Sequence, residues 1–275
     1  MTHRASSGLT LPMIGLGTYG LRGFTGSAAV RTAVESGYRL VDSAFNYENE
    51  AAVAEGCRAA AVDRGEILYT TKLAGRHHRY DKAAVALEES VLRTGLGYID
   101  LALIHWPNPS QSLFVDAWRA LIDARERGVI RHIGVSNFLP EHLETLEEET
   151  GVRPEVNQVE MHPYFPQDEA LAYHADRGII TQAWSPIGKG GELLAEAPVV
   201  DTAAAHGITA TQAVLAWHVR RGALPLPKSA DVKRQAENLA AAEVVLTEAE
   251  EAAISALSRP DGRLRGQDPA VYEEF

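Results

Sequence analysis

"GLGTYGLRGFTGS", Gly15 to Ser27, is open to two readings that lead to different folds. Gly15, Gly17 and Gly20 spell a G-x-G-x-x-G after a short apolar run, and Asp42 stands 22 residues beyond Gly20, which imitates a Rossmann fingerprint. A true fingerprint opens directly into a helix whose N-terminus receives a pyrophosphate. Here "LRGFTG" separates Gly20 from the first helix position, near Ser27, so the spacing fails. The stretch reads instead as a short strand followed by a permissive loop.

Outward from that strand, apolar β-branched runs recur and end in polar or small residues near Thr18, Asp42, Lys72, His105, Ser136, Glu160, Trp184 and Pro227. Six intervals of 24 to 33 residues each fit one strand and one helix, and a last one of 43 is longer. Eight such units in 275 residues predict a (β/α)8 TIM barrel, an α/β fold of roughly 250 residues, as one domain over 1–275. Helix signals fill the gaps. Asp81 is placed to cap "KAAVALEESVLRT", with Ala84, Leu87 and Val91 on one face and Gly95 closing it. Phe114, Ala117, Trp118 and Leu121 form a second stripe, and Thr209 with Gln212 forms a capping box. The long last interval contains "SPIGKGG" and an extra short helix, "VVDTAAAHG"; the irregular tail 259–275 is expected to fold over a barrel mouth.

Composition narrows the function classes. A formal charge of -11 opposes nonspecific binding to nucleic acid or anionic lipid, and no apolar run reaches the roughly 18 residues of a spanning helix. The lone Cys57, read as a small buried helix residue, favours a reducing compartment, taken as the cytoplasm, and no targeting segment is read. His77 and His78 are adjacent, a poor spacing for one metal, and are expected to be solvated; no metal site is expected.

In a barrel, strand ends far apart in sequence meet at one face. Asp42, Lys72 and His105 end candidate strands two, three and four, and Tyr47 lies five residues past Asp42. A buried acid, ammonium, phenol and imidazole are costly together unless they pair, so their coincidence suggests chemistry. An ammonium beside a phenol lowers its pKa, so Lys72 is expected to activate Tyr47, with Asp42 holding Lys72 and His105 polarising a carbonyl. The purely structural alternative is a buried ion pair, a packing tyrosine and a hydrogen-bonded core histidine.

"GLGTYG", "DSAFNYENE", "TKL", "LIHWP", "GVSNF", "NQVEMHP", "WSPIGKG" and "PKSADVKRQAEN" occur in that order over residues 15–238. Together they resemble the aldo-keto reductase family. The resemblance implies a barrel that binds a nicotinamide cofactor in extended form, with Asp42, Tyr47, Lys72 and His105 as its catalytic tetrad and Tyr47 as proton donor. It implies reduction of aldehydes, small ketones or dicarbonyls by hydride transfer. A barrel that binds nicotinamide but turns over negligibly, as a regulatory module, is the alternative; an intact tetrad argues against it.

Family positions also suggest the cofactor contacts. Lys228, Ser229 and Arg234 match a site for the adenosine 2′-phosphate, which favours NADP(H) over NAD(H), the weaker alternative. Glu237 and Asn238 match adenine-contacting positions. Ser136, Asn137 and Gln158 match carboxamide-binding positions, Thr18 belongs to the same cofactor-facing set, and Ser185, Ile187 and Gly188 lie in the loop expected to wrap the pyrophosphate. Asp231 and Trp184 depart from the pattern. The first places a carboxylate near the phosphate, and the second replaces a tyrosine that commonly stacks on nicotinamide. Tyr19, Phe45, Asn46, Ala74 and Trp106 match substrate-pocket positions, and Ala74, where some relatives carry tryptophan, is expected to leave a roomier, open site. The implied partner is a small carbonyl compound, with no nucleic acid or membrane, and the protein is expected to be a monomer.

Overall fold

A computed structural model describes residues 2–274. The chain begins with an antiparallel hairpin, β1 (Thr2–Arg4) and β2 (Thr10–Pro12), that the sequence reading did not anticipate. It then winds through β3 (Leu16–Gly17), α1 (Gly23–Glu35), β4 (Leu40–Asp42), α2 (Glu50–Ala59), β5 (Leu68–Leu73), α3 (Tyr80–Thr94), β6 (Ile99–Ile104) and α4 (Phe114–Glu126). The second half continues through β7 (Ile130–Ser136), α5 (Pro140–Thr150), β8 (Val156–Glu160), α6 (Asp168–Arg177) and β9 (Ile180–Trp184). After β9 come two helices, α7 (Ala197–His206) and α8 (Ala210–Arg220), then β10 (Leu224–Pro225), α9 (Val232–Ala240) and α10 (Glu248–Ser255).

Strands β3 to β10 pair in parallel, each with its sequence neighbour. The barrel closes where Gly15 and Gly17 donate to the carbonyls of Pro225 and Pro227 at 3.1 Å, and Gly17 bridges Lys228 in parallel. A β-carbon on Gly17 would lie 2.6 Å from the Leu226 carbonyl oxygen. The glycine of the apparent fingerprint therefore serves strand closure. The helix after it starts at Gly23, four residues before the expected Ser27, because Gly26 packs directly on the Leu21 backbone and admits the earlier turn.

Alternation along the strands sorts the core into two layers. On β6, Leu101 and Leu103 join Leu40, Val156, Ile180 and Leu224 inside the barrel, while Ala102 and Ile104 pack outward against the helices. Ala5, Leu9 and Leu11 of the hairpin belong to the inner cluster, so β1 and β2 plug one end of it. The stripe Phe114, Ala117, Trp118 and Leu121 is buried, the Thr209–Gln212 capping box forms, "VVDTAAAHG" is helical, and Cys57 is buried in α2. In α3 the buried face starts at Ala83 rather than Ala84, and Arg79 holds the N-cap position while Asp81 sits in the first turn. His78 was expected in solvent. It is buried, in a loop covered by the C-terminal tail, and that burial holds its pKa down at about 4.

The tail does cross the barrel mouth: Arg259 pairs with Glu196 and stacks on Tyr164, Arg263 lies over Phe165, and Tyr272 packs on Trp106 at 4.4 Å between ring centroids. Phe275, the last residue of the expected tail, lies outside the described residues.

Candidate active site

Asp42 ends β4, and the next turn of chain, a 3-10 turn over Phe45–Tyr47, returns Tyr47 over it. Lys72, on β5, projects inward with no exposed side-chain surface. Its ammonium donates to Asp42 Oδ1 and Oδ2 at 2.8 and 2.7 Å, to the Ser43 carbonyl at 2.9 Å and to Tyr47 Oη at 3.3 Å. Gln158 Nε2 donates to Asp42 Oδ1 from the opposite side at 2.9 Å. His105 follows β6 with its backbone anchored to Leu73, and its ring lies 5.9 Å from the Tyr47 ring, near perpendicular. All four side chains thus converge at one barrel face.

The electrostatics refine the expectation for Tyr47. Burial works against the Lys72 ammonium, but Asp42 and then Tyr47 outweigh it, so the Lys72 pKa is raised and the group stays charged. For Tyr47, burial pushes the phenol pKa up, and Lys72 pulls it down by less. Lys72 therefore acts in the expected direction without winning. The resting phenol keeps its proton, which is the state a proton donor requires.

These groups open into a cleft of about 630 Å³, within the size range of ligand sites. It runs from Tyr47 and His105 past Asn137, Trp184 and Ile187 to Lys228. Thr18 lines it and donates from Oγ1 to the Asp42 carbonyl at 2.8 Å. Ser136 Oγ donates to the Gln158 carbonyl at 2.8 Å, and Asn137 Nδ2 donates to Ser136 Oγ and to the His105 carbonyl, both at 3.0 Å. Trp184 Nε1 donates to Asn137 Oδ1 at 2.7 Å, fixing the indole against the cleft. Asn137 and Ser185 both hold left-handed backbone, φ 62° and 48°. Such strain in non-glycine residues persists where surrounding structure over-determines it and clusters at functional sites.

Other expected residues lie outside the cleft wall. Gly188 packs beneath its loop against Leu193 and His162. Ser229 Oγ is engaged with the Asp231 backbone, Arg234 is exposed on the first turn of α9, Glu237 pairs with Lys233 at 3.7 Å, and Asn238 is buried. Tyr19, Asn46 and Trp106 line the cleft, whereas Phe45 and Ala74 do not. Phe45 sits under the Arg76 and Arg93 guanidiniums, and Ala74 is fully buried. The room expected beside Ala74 is not open: the tail fills it, with Glu274 Oε2 accepting from Gly75 N at 3.0 Å. Glu274, Tyr272, Leu264, Arg265 and Gln267 complete the cleft, and none was named from sequence. Their one advance signal was an irregular tail long enough to reach the mouth.

The residues present fit a nicotinamide dinucleotide phosphate. A flat indole and amide side chains surround the inner end, and Lys228 marks the outer end. Lys228 and, on α9, Arg234 have no carboxylate within ion-pair distance among the described residues, and neither do Lys189 and Arg265 of the cleft wall, which leaves cations for phosphate in a strongly acidic protein.

Comparisons with known proteins agree. The aldo/keto reductase family model matches residues 13–259. The chain is 51% identical over 261 residues to 2,5-diketo-D-gluconic acid reductase B of Corynebacterium sp., covering 95% of this chain and 94% of that protein. It is 38% identical over 270 residues to methylglyoxal reductase DkgA of Salmonella typhimurium, covering 98% and 97%. The crystal structure of a Gox0644 mutant in complex with NADPH superposes with a TM-score of 0.94 at 39% identity, covering 99% of this chain and 98% of that one. By a match spanning nearly its whole length, the chain belongs to the aldo/keto reductase family.

Proposed function

We propose that Asp42, Tyr47, Lys72 and His105 carry the NADPH-dependent reduction of an aldehyde or ketone to its alcohol. The observation that supports this most is the Lys72 ammonium, fully buried and shared between both Asp42 oxygens and Tyr47 Oη at the floor of the cleft. When bound, NADPH supplies the hydride that adds to the carbonyl carbon. Tyr47 gives its phenolic proton to the carbonyl oxygen as negative charge develops there, and Lys72 stabilises the phenolate left behind. Asp42 keeps Lys72 charged and pointed at Tyr47. His105, across the cleft, orients the carbonyl.

Trp184 is the stacking face for the nicotinamide, with Thr18, Ser136, Asn137 and Gln158 around it. Ser185, Ile187 and Gly188 form the pyrophosphate loop. Lys228, Ser229 and Arg234 take the 2′-phosphate, and Glu237 and Asn238 face the adenine. Tyr19, Asn46 and Trp106 form the substrate wall. Both relatives named above are named for dicarbonyl substrates, so small dicarbonyls are the substrate class proposed. No helix among the described residues is long and apolar enough to cross a membrane. The proposal extends to a monomer in the cytoplasm, supported by a tetrad complete within one chain and by one buried cysteine.

The test is turnover with NADPH and NADH side by side against simple aldehydes, methylglyoxal and 2,5-diketo-D-gluconate. With the best substrate, Tyr47→Phe should lose at least about 100-fold in kcat, as expected for removal of a positioned acid, while NADPH titration is unchanged. Turnover retained in that variant would remove Tyr47 from the donor role.

A further inference from the structure

The C-terminal tail delivers a carboxylate to the Nδ1 edge of His105. Glu274 Oε1 lies 2.7 Å from His105 Nδ1, an ion-pair distance, with the oxygen off the line of the ring N–H. The same oxygen accepts from Asn46 Nδ2 at 2.8 Å, and Oε2 accepts from Gly75 N at 3.0 Å. The Glu274 backbone is clamped on both sides by one side chain: Asn108 Nδ2 donates to its carbonyl at 2.7 Å and Asn108 Oδ1 accepts from its N–H at 3.0 Å. Gly75 has no room for a β-carbon, which would run into Asn108 Nδ2 and the Glu274 carbonyl. Five polar contacts and a close backbone approach make this a built seat, and the carboxylate in it is nearly buried.

We propose that Glu274 is a positioning residue for His105, its carboxylate holding the Nδ1 edge of the imidazole so that Nε2 faces the substrate carbonyl. This rests on the assignment of His105 above. Nδ1 is sealed from solvent, while Nε2 makes no hydrogen bond among the described residues and is the ring nitrogen left to the cleft that His105 lines. An imidazole turns about its Cα–Cβ and Cβ–Cγ bonds, and the edge-on Tyr47 ring alone does not fix which nitrogen faces the cleft; a fixed carboxylate beside Nδ1 does. Burial pushes the Glu274 pKa up, but His105, Asn46 and the Gly75 N–H outweigh it and leave it below the ordinary carboxylate range, so the seat holds an anion. The tail is thereby a part of the active site's geometry as well as its cover.

The experiment is a double-mutant cycle with the full chain. Glu274→Ala should lower kcat/KM about tenfold, with the NADPH dissociation constant within twofold of the parent, and Glu274→Asp should recover part of the loss. In a His105→Gln background, Glu274→Ala should cost less than twofold. A tail that merely shields the mouth would cost the same factor in both backgrounds, and that result overturns the proposal. So does an unchanged kcat/KM in Glu274→Ala when His105→Gln is impaired, which leaves the site assignment standing. Full activity in His105→Gln would bring down the assignment itself and the proposal with it. Should Glu274→Ala fold poorly, Asn108→Ala reads the same coupling by loosening the clamp, with the same outcomes.

Discussion

Lys72 is the residue on which the site's energetics turn. Its ammonium and the Asp42 carboxylate are both out of water, so each is tolerable only because the other is present. Replacing one partner leaves a buried charge alone. Lys72→Met should therefore lower unfolding free energy by about 3–5 kcal/mol, read by denaturant titration, together with loss of carbonyl reduction. Adding Asp42→Asn should recover much of the stability and none of the turnover. An unchanged stability in the single variant would mean that Gln158, which donates to Asp42 at 2.9 Å, is enough to hold the carboxylate. At this scale the sequence was legible where chemistry and spacing coincide: four ionisable residues at strand ends are conspicuous. Glu274 was not, because its partners Gly75 and Asn108 lie 199 and 166 positions away and no local pattern encodes the meeting. His78 was misread for a related reason: it is buried in a loop that Glu273 and Glu274, far along the chain, come close to.

Among the elements, α9 shows how a local rule can change a functional expectation. Asp231 looked from the sequence like an obstacle to a 2′-phosphate. The structure shows its side chain as the N-cap of α9, Oδ1 accepting from Arg234 N at 2.9 Å, so it holds the turn that carries one of the two proposed phosphate cations. Cap and charge are separable. Asparagine caps about as well as aspartate, so Asp231→Asn should leave the melting temperature unchanged and raise the NADPH-over-NADH affinity ratio several-fold, in line with removal of about 1 kcal/mol of repulsion. Asp231→Ala should instead destabilise by about 1 kcal/mol through the lost cap. Fluorescence titration with both cofactors and a thermal melt check the pair. Elements with their own signals, such as the Thr209 capping box and the stripe on α4, were readable in advance. The hairpin β1–β2 was not: three-residue strands carry too little alternation to be seen, and their reason for existing is the open end of a barrel that forms only later in the chain.

For the whole molecule, closure of the barrel and its plug buries histidines that must stay neutral. Burial holds His3, His78 and His174 down at about 4 and His218 at about 3, from an ordinary value of 6.5. His174 shows why protonation is resisted: Asn157 Nδ2 lies 2.9 Å from Nε2 and Thr181 Oγ1 2.8 Å from Nδ1. Asn157 can only donate through that nitrogen, so Nε2 must accept, and a second ring proton would face the amide hydrogens. The sign follows from linkage. Between pH 6.5 and 4 the unfolded chain binds protons at these positions that the folded chain refuses, so stability is complete above 6.5 and drains as pH falls. Each such site contributes at most about 1.4 kcal/mol per pH unit within its window. Glu155, whose pKa is held below the ordinary value by His132 and Ser7 against its burial, adds a loss in the same direction at lower pH. Thermal melts should therefore be flat from pH 8 to about 6.5 and fall steadily below it, well before the carboxylates dominate. A His174→Gln variant should fall less steeply across the same range. A melting temperature that held constant down to pH 4.5 would show that the buried imidazoles take up protons in place, and that the interior enclosed by the plug and the helices is more open to water than its packing implies.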